Sequence, residues 1–190
     1  TPRTSSENSI ERFVFCFKGQ EGFFDLLYSI FDNYNKMADS PEKYRAGFVL
    51  IKNAIEYLDS FFYNGTAQED LVNRILEGIQ FPNEFCQFAS FQVLTEAARH
   101  FNPIFQTNYN SSFIPSILEY IQSNLAISQF ALESLSYMIS GSNNEDIEPY
   151  LEVLYDSMIS IFGQIPIQAQ VFDLNCISEL IMKSGQQIEN

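Results

Sequence analysis

Apolar residues along this chain recur at the three- and four-residue spacing of α-helices, and no stretch shows the alternation a half-buried strand requires. From Ser6 to Phe17, the residues Ile10, Phe13, Val14 and Phe17 share one face, and Gly19 ends the segment. From Glu21 to Ala38, Phe23, Leu26, Leu27, Ile30, Phe31 and Tyr34 form a wide stripe. Asp39-Ser40-Pro41 then stops one helix and starts another, with Ser40 as N-cap and Pro41 at the first helical position. That third helix is predicted from Pro41 to Leu58. Leu71, Val72, Ile75, Leu76 and Ile79 predict a fourth over Ala67 to Ile79. The turn Phe81-Pro82-Asn83 leads into a fifth, Glu84 to His100. After a longer connection, a sixth covers Ser112 to Gln122, with Pro115 near its first turn. The seventh spans Ile127 to Ile139, and Gly141-Ser142-Asn143-Asn144 is the clearest loop. The eighth spans Asp146 to Phe162, with Pro149 in its first turn, and the ninth begins near Pro166 and ends before Gly185.

A slower period lies over this pattern. A small residue opens alternate helices: Ala46-Gly47, Ala89-Ser90 and Ala131, at steps of 43 and 42 residues. The segment Gln170 to Ser184 continues the spacing less clearly. Two-helix repeats of about 40–47 residues are the signature of HEAT and armadillo arrays. The expectation is an all-α fold, an α-α superhelix of four helix pairs plus a leading half-repeat. It forms a single array over 1–190, with units at 6–17, 21–58, 67–100, 112–139 and 146–184. The chain reads as a piece of a longer solenoid. Such arrays present surface rather than enclose a catalytic pocket.

In each pair the second helix is the inner one, with two apolar seams and a narrow polar stripe. In the third helix the seams are Phe48, Ile51, Ile55, Leu58 and Leu50, Ala54, Tyr57, Phe61. Its polar stripe is Lys52, Glu56 and Asp59. The fifth contributes Gln92, Glu96 and Arg99; the seventh Gln129, Glu133, Ser136 and Ser140, with Tyr137 beside them; the ninth Asp173, Asn175 and Glu179. Aligned on one side of a solenoid, Lys52, Glu56, Asp59, Gln92, Glu96, Arg99, Glu133, Tyr137, Asp173 and Glu179 are the candidate contacts for a protein partner.

Charge gives that partner a sign. With 24 acidic residues against 10 basic ones the chain carries a net charge of −14. It should repel nucleic acid and anionic membranes, which are bound through Lys/Arg clusters, and favour a basic protein segment. Cys16, Cys86 and Cys176 are far apart and odd in number, and read as buried free thiols of a reducing compartment. The sequons at Asn64 and Asn110 are expected to go unused, since the sequence reads without a signal peptide, and the apolar runs fall well short of the ~18 residues of a membrane span.

Little points to catalysis. His100, the only histidine, ends a helix beside Arg99, where a cation suits the helix dipole. Glu145, Asp146 and Glu148 lack calcium-loop spacing and sit at a helix N-terminus, which favours acids. No Gly-rich phosphate loop or nucleophile motif occurs. The expectation is a non-enzymatic protein with no catalytic residue, metal or cofactor.

The stretch Lys43 to Leu58, followed by Phe85 to Gln122, resembles the central HEAT repeats of the importin-β (karyopherin-β) nuclear transport receptors, nearest to the importin-beta-three or Ran-binding-protein-five branch. An inner helix ending in an Ala-x-x-Phe-x-Pro-x-Phe run, here Ala98, Phe101, Pro103 and Phe105, carries the likeness. Ile147 to Gly163, with Pro149 and Tyr150-Leu151, resembles the next outer helix. Glu7 to Gln20 resembles the inner helix upstream. The chain departs from the family in its wealth of Phe, Tyr and Asn, and it lacks the N-terminal repeats that make much of the Ran contact. The resemblance implies a nuclear import receptor that shuttles between cytoplasm and nucleus through the pore. Basic or ribosomal-protein-like cargo would lie along the inner helices. Phe-rich nucleoporin repeats would insert between outer helices, and Ran-GTP would release cargo in the whole protein. The alternative is a HEAT scaffold of another kind, such as a phosphatase regulatory subunit or a translation or trafficking adaptor.

Overall fold

A computed structural model describes residues 2–17, 22–36, 40–58 and 67–185. Gly19, Asp39, Asp59, Phe61 and the sequon at Asn64 lie outside them. Among the described residues the fold is all-α, without a strand. The helices are α1 (Pro2–Phe17), α2 (Phe23–Lys36), α3 (Pro41–Lys52), α4 (Ala67–Gln80), α5 (Glu84–His100), α6 (Ile104–Ser123), α7 (Gln129–Gly141), α8 (Leu151–Ile161) and α9 (Ile167–Gly185). Tight 3-10 turns occupy Ile55–Tyr57, Leu125–Ile127 and Glu148–Tyr150, and one helical turn occupies Asn144–Ile147.

Helix α1 starts at Pro2, four residues before the predicted Ser6, and three later helices depart from their predicted spans, each for a local reason. Helix α3 stops at Lys52 instead of reaching Leu58. The Asn53 side chain donates to Val49 O at 2.7 Å. The next amide, of Ala54, bonds Ile51 O, so the ladder tightens from i−4 to i−3. Ile55 and Leu58 remain buried in spite of the break. Helix α6 starts at Ile104, eight residues before the predicted Ser112, and the supposed connection is helical. Asn and Thr are weak helix formers, yet Gln106 and Asn110 fall at i, i+4 and bury their amides on one face. Pro115 therefore lies inside the helix. It removes the donor for the Ser111 carbonyl, and Ser111 is exposed, so water can satisfy that group. Pro149 occupies the 3-10 turn ahead of α8 rather than its first turn.

Ser40 is the N-cap of α3 with Pro41 next to it, as expected, but its hydroxyl bonds the Glu42 carboxylate at 3.0 Å rather than a backbone amide. A hydrogen bond from the backbone amide of Glu42 first, and the Ser40 hydroxyl second, hold the Glu42 carboxyl below the usual carboxylate range. Two apolar stripes are not core seams along their whole length. Phe13 and Phe17 of α1 and Leu26 and Ile30 of α2 are exposed, while Val14, Leu27 and Phe31 are buried. Cys16 is exposed too, contrary to the expectation of a buried thiol; only Cys86 and Cys176 are buried. Cys16 sits among outward-facing Phe15 and Phe17, so apolar neighbours in sequence misstate its surroundings.

The chain divides into two compact units, Thr1–Glu96 and Ala97–Asn190, the division falling within α5. In the first, α2 packs on α3. Phe31 meets Phe48 edge-on at 5.7 Å, and Tyr44 stacks on Phe81 at 5.3 Å. The Tyr44 hydroxyl donates to Arg74 O at 3.0 Å, tying α3 to α4. Gly78 of α4 lies so close to α5 that a Cβ there would come within 2.0 Å of Ser90 Oγ. This is the close approach that the small residues Ala89-Ser90 promised, and Gly78 is its unrecognised half.

In the second unit α7 packs on α6 and on α9, and α8 on α9. Gln106 of α6 donates to Ala98 O at 2.7 Å and to Tyr137 O of α7 at 3.3 Å. Asn110 donates to Ser142 Oγ at 2.9 Å, and Ser142 passes the chain on to Met138 O at 2.6 Å. Bonds between the paired helices α6 and α7 join residues 31 and 32 apart, and the Tyr44 bond from α3 to α4, the first helix of the next pair, joins residues 30 apart. Bonds from one inner helix to the next join residues 45, 44 and 41 apart: Cys86 to Pro41 O, Cys176 to Leu132 O, and Lys183 to Ser142 O. The second set falls at the ~40–47-residue spacing of the repeat, and in the second unit the second helix of one pair, α7, packs on the second helix of the next, α9.

Candidate binding cleft

The polar stripes of α7 and α9 meet. Between the two helices lies a cleft of about 340 Å³, lined by Ser136, Tyr137 and Ser140 from α7 and by Phe172, Asn175, Ser178 and Glu179 from α9. Two local choices open it. The packed face of α9 is Ala169, Asp173, Cys176 and Leu180, at i, i+4, i+7 and i+11. That places Phe172, Asn175 and Glu179 beside the seam rather than in it. On α7, Ser136 and Ser140 are too short to fill the space, and Ser136 turns its hydroxyl back to Glu133 O at 2.8 Å.

Glu179 is half-buried, and its carboxylate makes no hydrogen bond or ion pair with another described residue. The nearest cation along α9 is Lys183, whose ammonium donates to Ser142 O, the C-cap carbonyl of α7. There it complements the negative end of that helix. The cleft is thus walled by two aromatic side chains, lined by hydroxyls and an amide, and carries one acid that no described residue compensates. Such a site suits a cationic group with hydrogen-bond donors.

Asp173 is not part of it. The candidate contact is fully buried in the α7–α9 seam, and neither carboxylate oxygen has a hydrogen-bond partner among the described residues. Burial pushes its carboxyl up to about 6. An aspartate among apolar residues at i+3 and i+4 reads as the polar edge of an inner helix, and here the helix is turned so that the acid faces inward. The neighbouring Cys176 thiol is raised well above its ordinary value, by burial first and then by Asp173.

The remaining candidates fall in both units. Lys52 and Glu56 are separated by the break after α3, so they do not share the helical face expected of them; Asp59 is outside the described residues. Gln92 and Glu96 are half-buried on α5 in the first unit, while Arg99 is exposed and Glu133 half-buried in the second. Glu179 and Tyr137 are the candidates that one cleft brings together. Phe172, Ser140 and Ser178 complete it; a serine four residues after another beside an aromatic was the available signal.

A second, wider hollow of about 650 Å³ surrounds the loop after α7, lined by Thr107, Ser142, Asn143, Asn144, Glu145, Asp146 and Lys183. Asp146 accepts from Thr107 at 2.6 Å and from Asn143 at 3.0 Å, so this acid is spent on fixing the loop. Among the described residues no His, Cys, Asp and Glu gather into a group able to hold a metal ion. Among them, too, no helix is long and apolar enough to cross a membrane. No protein-family model matches the chain, and no curated protein matches it.

Proposed function

We propose that this chain is a non-enzymatic, HEAT-type binding solenoid, a piece of an importin-β-like nuclear import receptor that holds basic cargo against its second, inner helices. The observation that carries the reading is the acid-bearing cleft formed where the polar stripes of two consecutive inner helices meet. The charge agrees: residues 97–190 carry Arg99 and Lys183 as their only Lys/Arg, against ten acids. In the intact receptor the resemblance adds Phe-rich nucleoporin repeats on the outer helices, Ran-GTP as the releasing partner, and shuttling between cytoplasm and nucleus.

A Lys-rich targeting peptide should bind the chain with a Kd on the order of 10–100 μM. The binding should weaken with salt, because exposed pairs are screened over about 8–10 Å. Changing Glu56, Glu96, Glu133 and Glu179 to Gln should abolish it. The control changes Glu69, Glu77, Glu119 and Glu152, all exposed on the alternate helices; Asp70 is left alone because it pairs with Arg74 at 3.1 Å. Titration calorimetry decides. Equal losses in the two variants would leave only general attraction to a chain of −14, and the cargo reading would give way to a scaffold of another kind.

A further inference from the structure

We infer that the Tyr137–Phe172–Glu179 cleft is a subsite for a single arginine side chain of the bound partner, and so sets specificity within the proposed cargo surface on which it rests. The size argues for one side chain. About 340 Å³ is at the bottom of the ~300–1,000 Å³ range of ligand pockets, too small for a folded element and sufficient for a guanidinium on its stem.

The chemistry argues for arginine over lysine. Tyr137 stands on one wall and Phe172 on the other, and a planar, weakly hydrated guanidinium can lie against such rings where a compact ammonium gains less. Glu179 offers a carboxylate that the guanidinium fork can meet through two parallel hydrogen bonds, and no described residue already occupies it. Ser136, Ser140, Ser178 and the Asn175 amide oxygen can accept from the remaining N–H groups. The only Lys or Arg on α7 or α9, Lys183, is tied to the end of α7 and does not fill the site. An acid of the protein's own, Asp173, is sealed in the seam, so Glu179 is the charge on α9 that a partner can reach.

The test uses the full chain and three peptides of one Lys-rich sequence, in which the central residue is Lys, Arg or citrulline. The Arg peptide should bind about five- to tenfold more tightly than the Lys peptide. Citrulline, which keeps the shape and loses the charge, should bind no better than Lys. Glu179→Gln and Tyr137→Leu should each erase the arginine gain, while Tyr137→Phe, which keeps the ring, should retain most of it. Circular dichroism on each variant separates lost binding from lost fold, and amide NMR shifts on adding the Arg peptide should centre on Tyr137 and Glu179. If Lys and Arg peptides bind equally, the subsite is wrong and the basic-cargo reading stands. If none of the peptides binds, both fall.

Discussion

The two units differ in the polar groups they bury among the described residues. Between α2 and α5 the rings Phe23, Phe31, Tyr44, Phe48 and Phe91 mix with Ile, Leu and Val, and among the described residues only Ser90 and Thr95 are buried polar ones. From α6 to α9 the rings Phe105, Phe113 and Tyr120 again mix with Ile, Leu and Met, but the interior also takes in Gln106, Asn110, Ser128, Ser134, Ser136, Ser142, Ser157 and Asp173. Rings meeting edge-on add contact without demanding a partner atom. Buried amides and hydroxyls demand one each, and are costly when they lack it. The first unit is therefore specified by shape, and the second by hydrogen bonding as well. The cleft belongs to the second, where short polar side chains leave room and Glu179 has no partner among the described residues.

The largest effect should separate the two kinds of close approach. A Cβ on Gly141 would sit 2.3 Å from Gln106 Nε2 and 3.0 Å from Asn102 Cβ. Gln106 cannot swing away without giving up its bonds to Ala98 O and Tyr137 O. Gly141→Ala should cost about 2–4 kcal/mol, net of the ~1 kcal/mol that alanine returns in helix propensity. At Gly78 the obstacle is chiefly the Ser90 hydroxyl. Gly78→Ala should cost less, about 1–2 kcal/mol, and Ser90→Gly added to it should recover part of the loss. Chemical denaturation of the three variants measures this, and equal costs would erase the contrast between the units.

Asp173 should give the next effect, with the opposite sign. Its folded value of about 6 lies above the ordinary 3.8. The folded state therefore holds the proton more tightly than the unfolded chain. The protonated acid's contribution is complete below about pH 4 and is lost as pH rises through 6, leaving a buried charge at neutral pH. Asp173→Asn should stabilise the protein at pH 7 by about 1–3 kcal/mol and flatten the fall in melting temperature between pH 4 and 6. A variant that melts at or below the native chain at pH 7 would mean that Asp173 finds a partner.

The smallest effect is chemical. An alkylating reagent at neutral pH should modify Cys16, which is exposed, and leave Cys86 and Cys176 intact, since both thiols are buried and raised by desolvation. Mass spectrometry of the native protein checks it; modification of Cys176 would show that the α7–α9 seam opens.

Much of this was legible in the pattern of residues, because apolar spacing reports directly on which faces are buried. Helix α5 matches its predicted span from Glu84 to His100, and the small-residue step at Ala89-Ser90 marks the approach of Gly78. Where polar groups are buried the pattern misleads. Gln106 and Asn110 made the start of α6 look like a loop, and Asp173 looked like surface. Periodicity assigns polar residues outward, whereas Gln106 and Asn110 are turned inward by bonds to residues 31 and 32 positions away, and Asp173 lies on the face of α9 that packs on α7. The cleft was half legible: Tyr137 and Glu179 were singled out, but their meeting depends on how α7 and α9 are rotated against each other.

Hydrogen exchange on the full chain, with and without the Lys-rich peptide, tests most directly whether that meeting of stripes is a binding surface. Added protection is expected on the cleft faces of α7 and α9, from Glu133 to Ser140 and from Phe172 to Glu179, with little change around Glu69, Glu119 or Glu152. Protection spread evenly over acidic sites, or confined to helices outside that pair, would contradict the account.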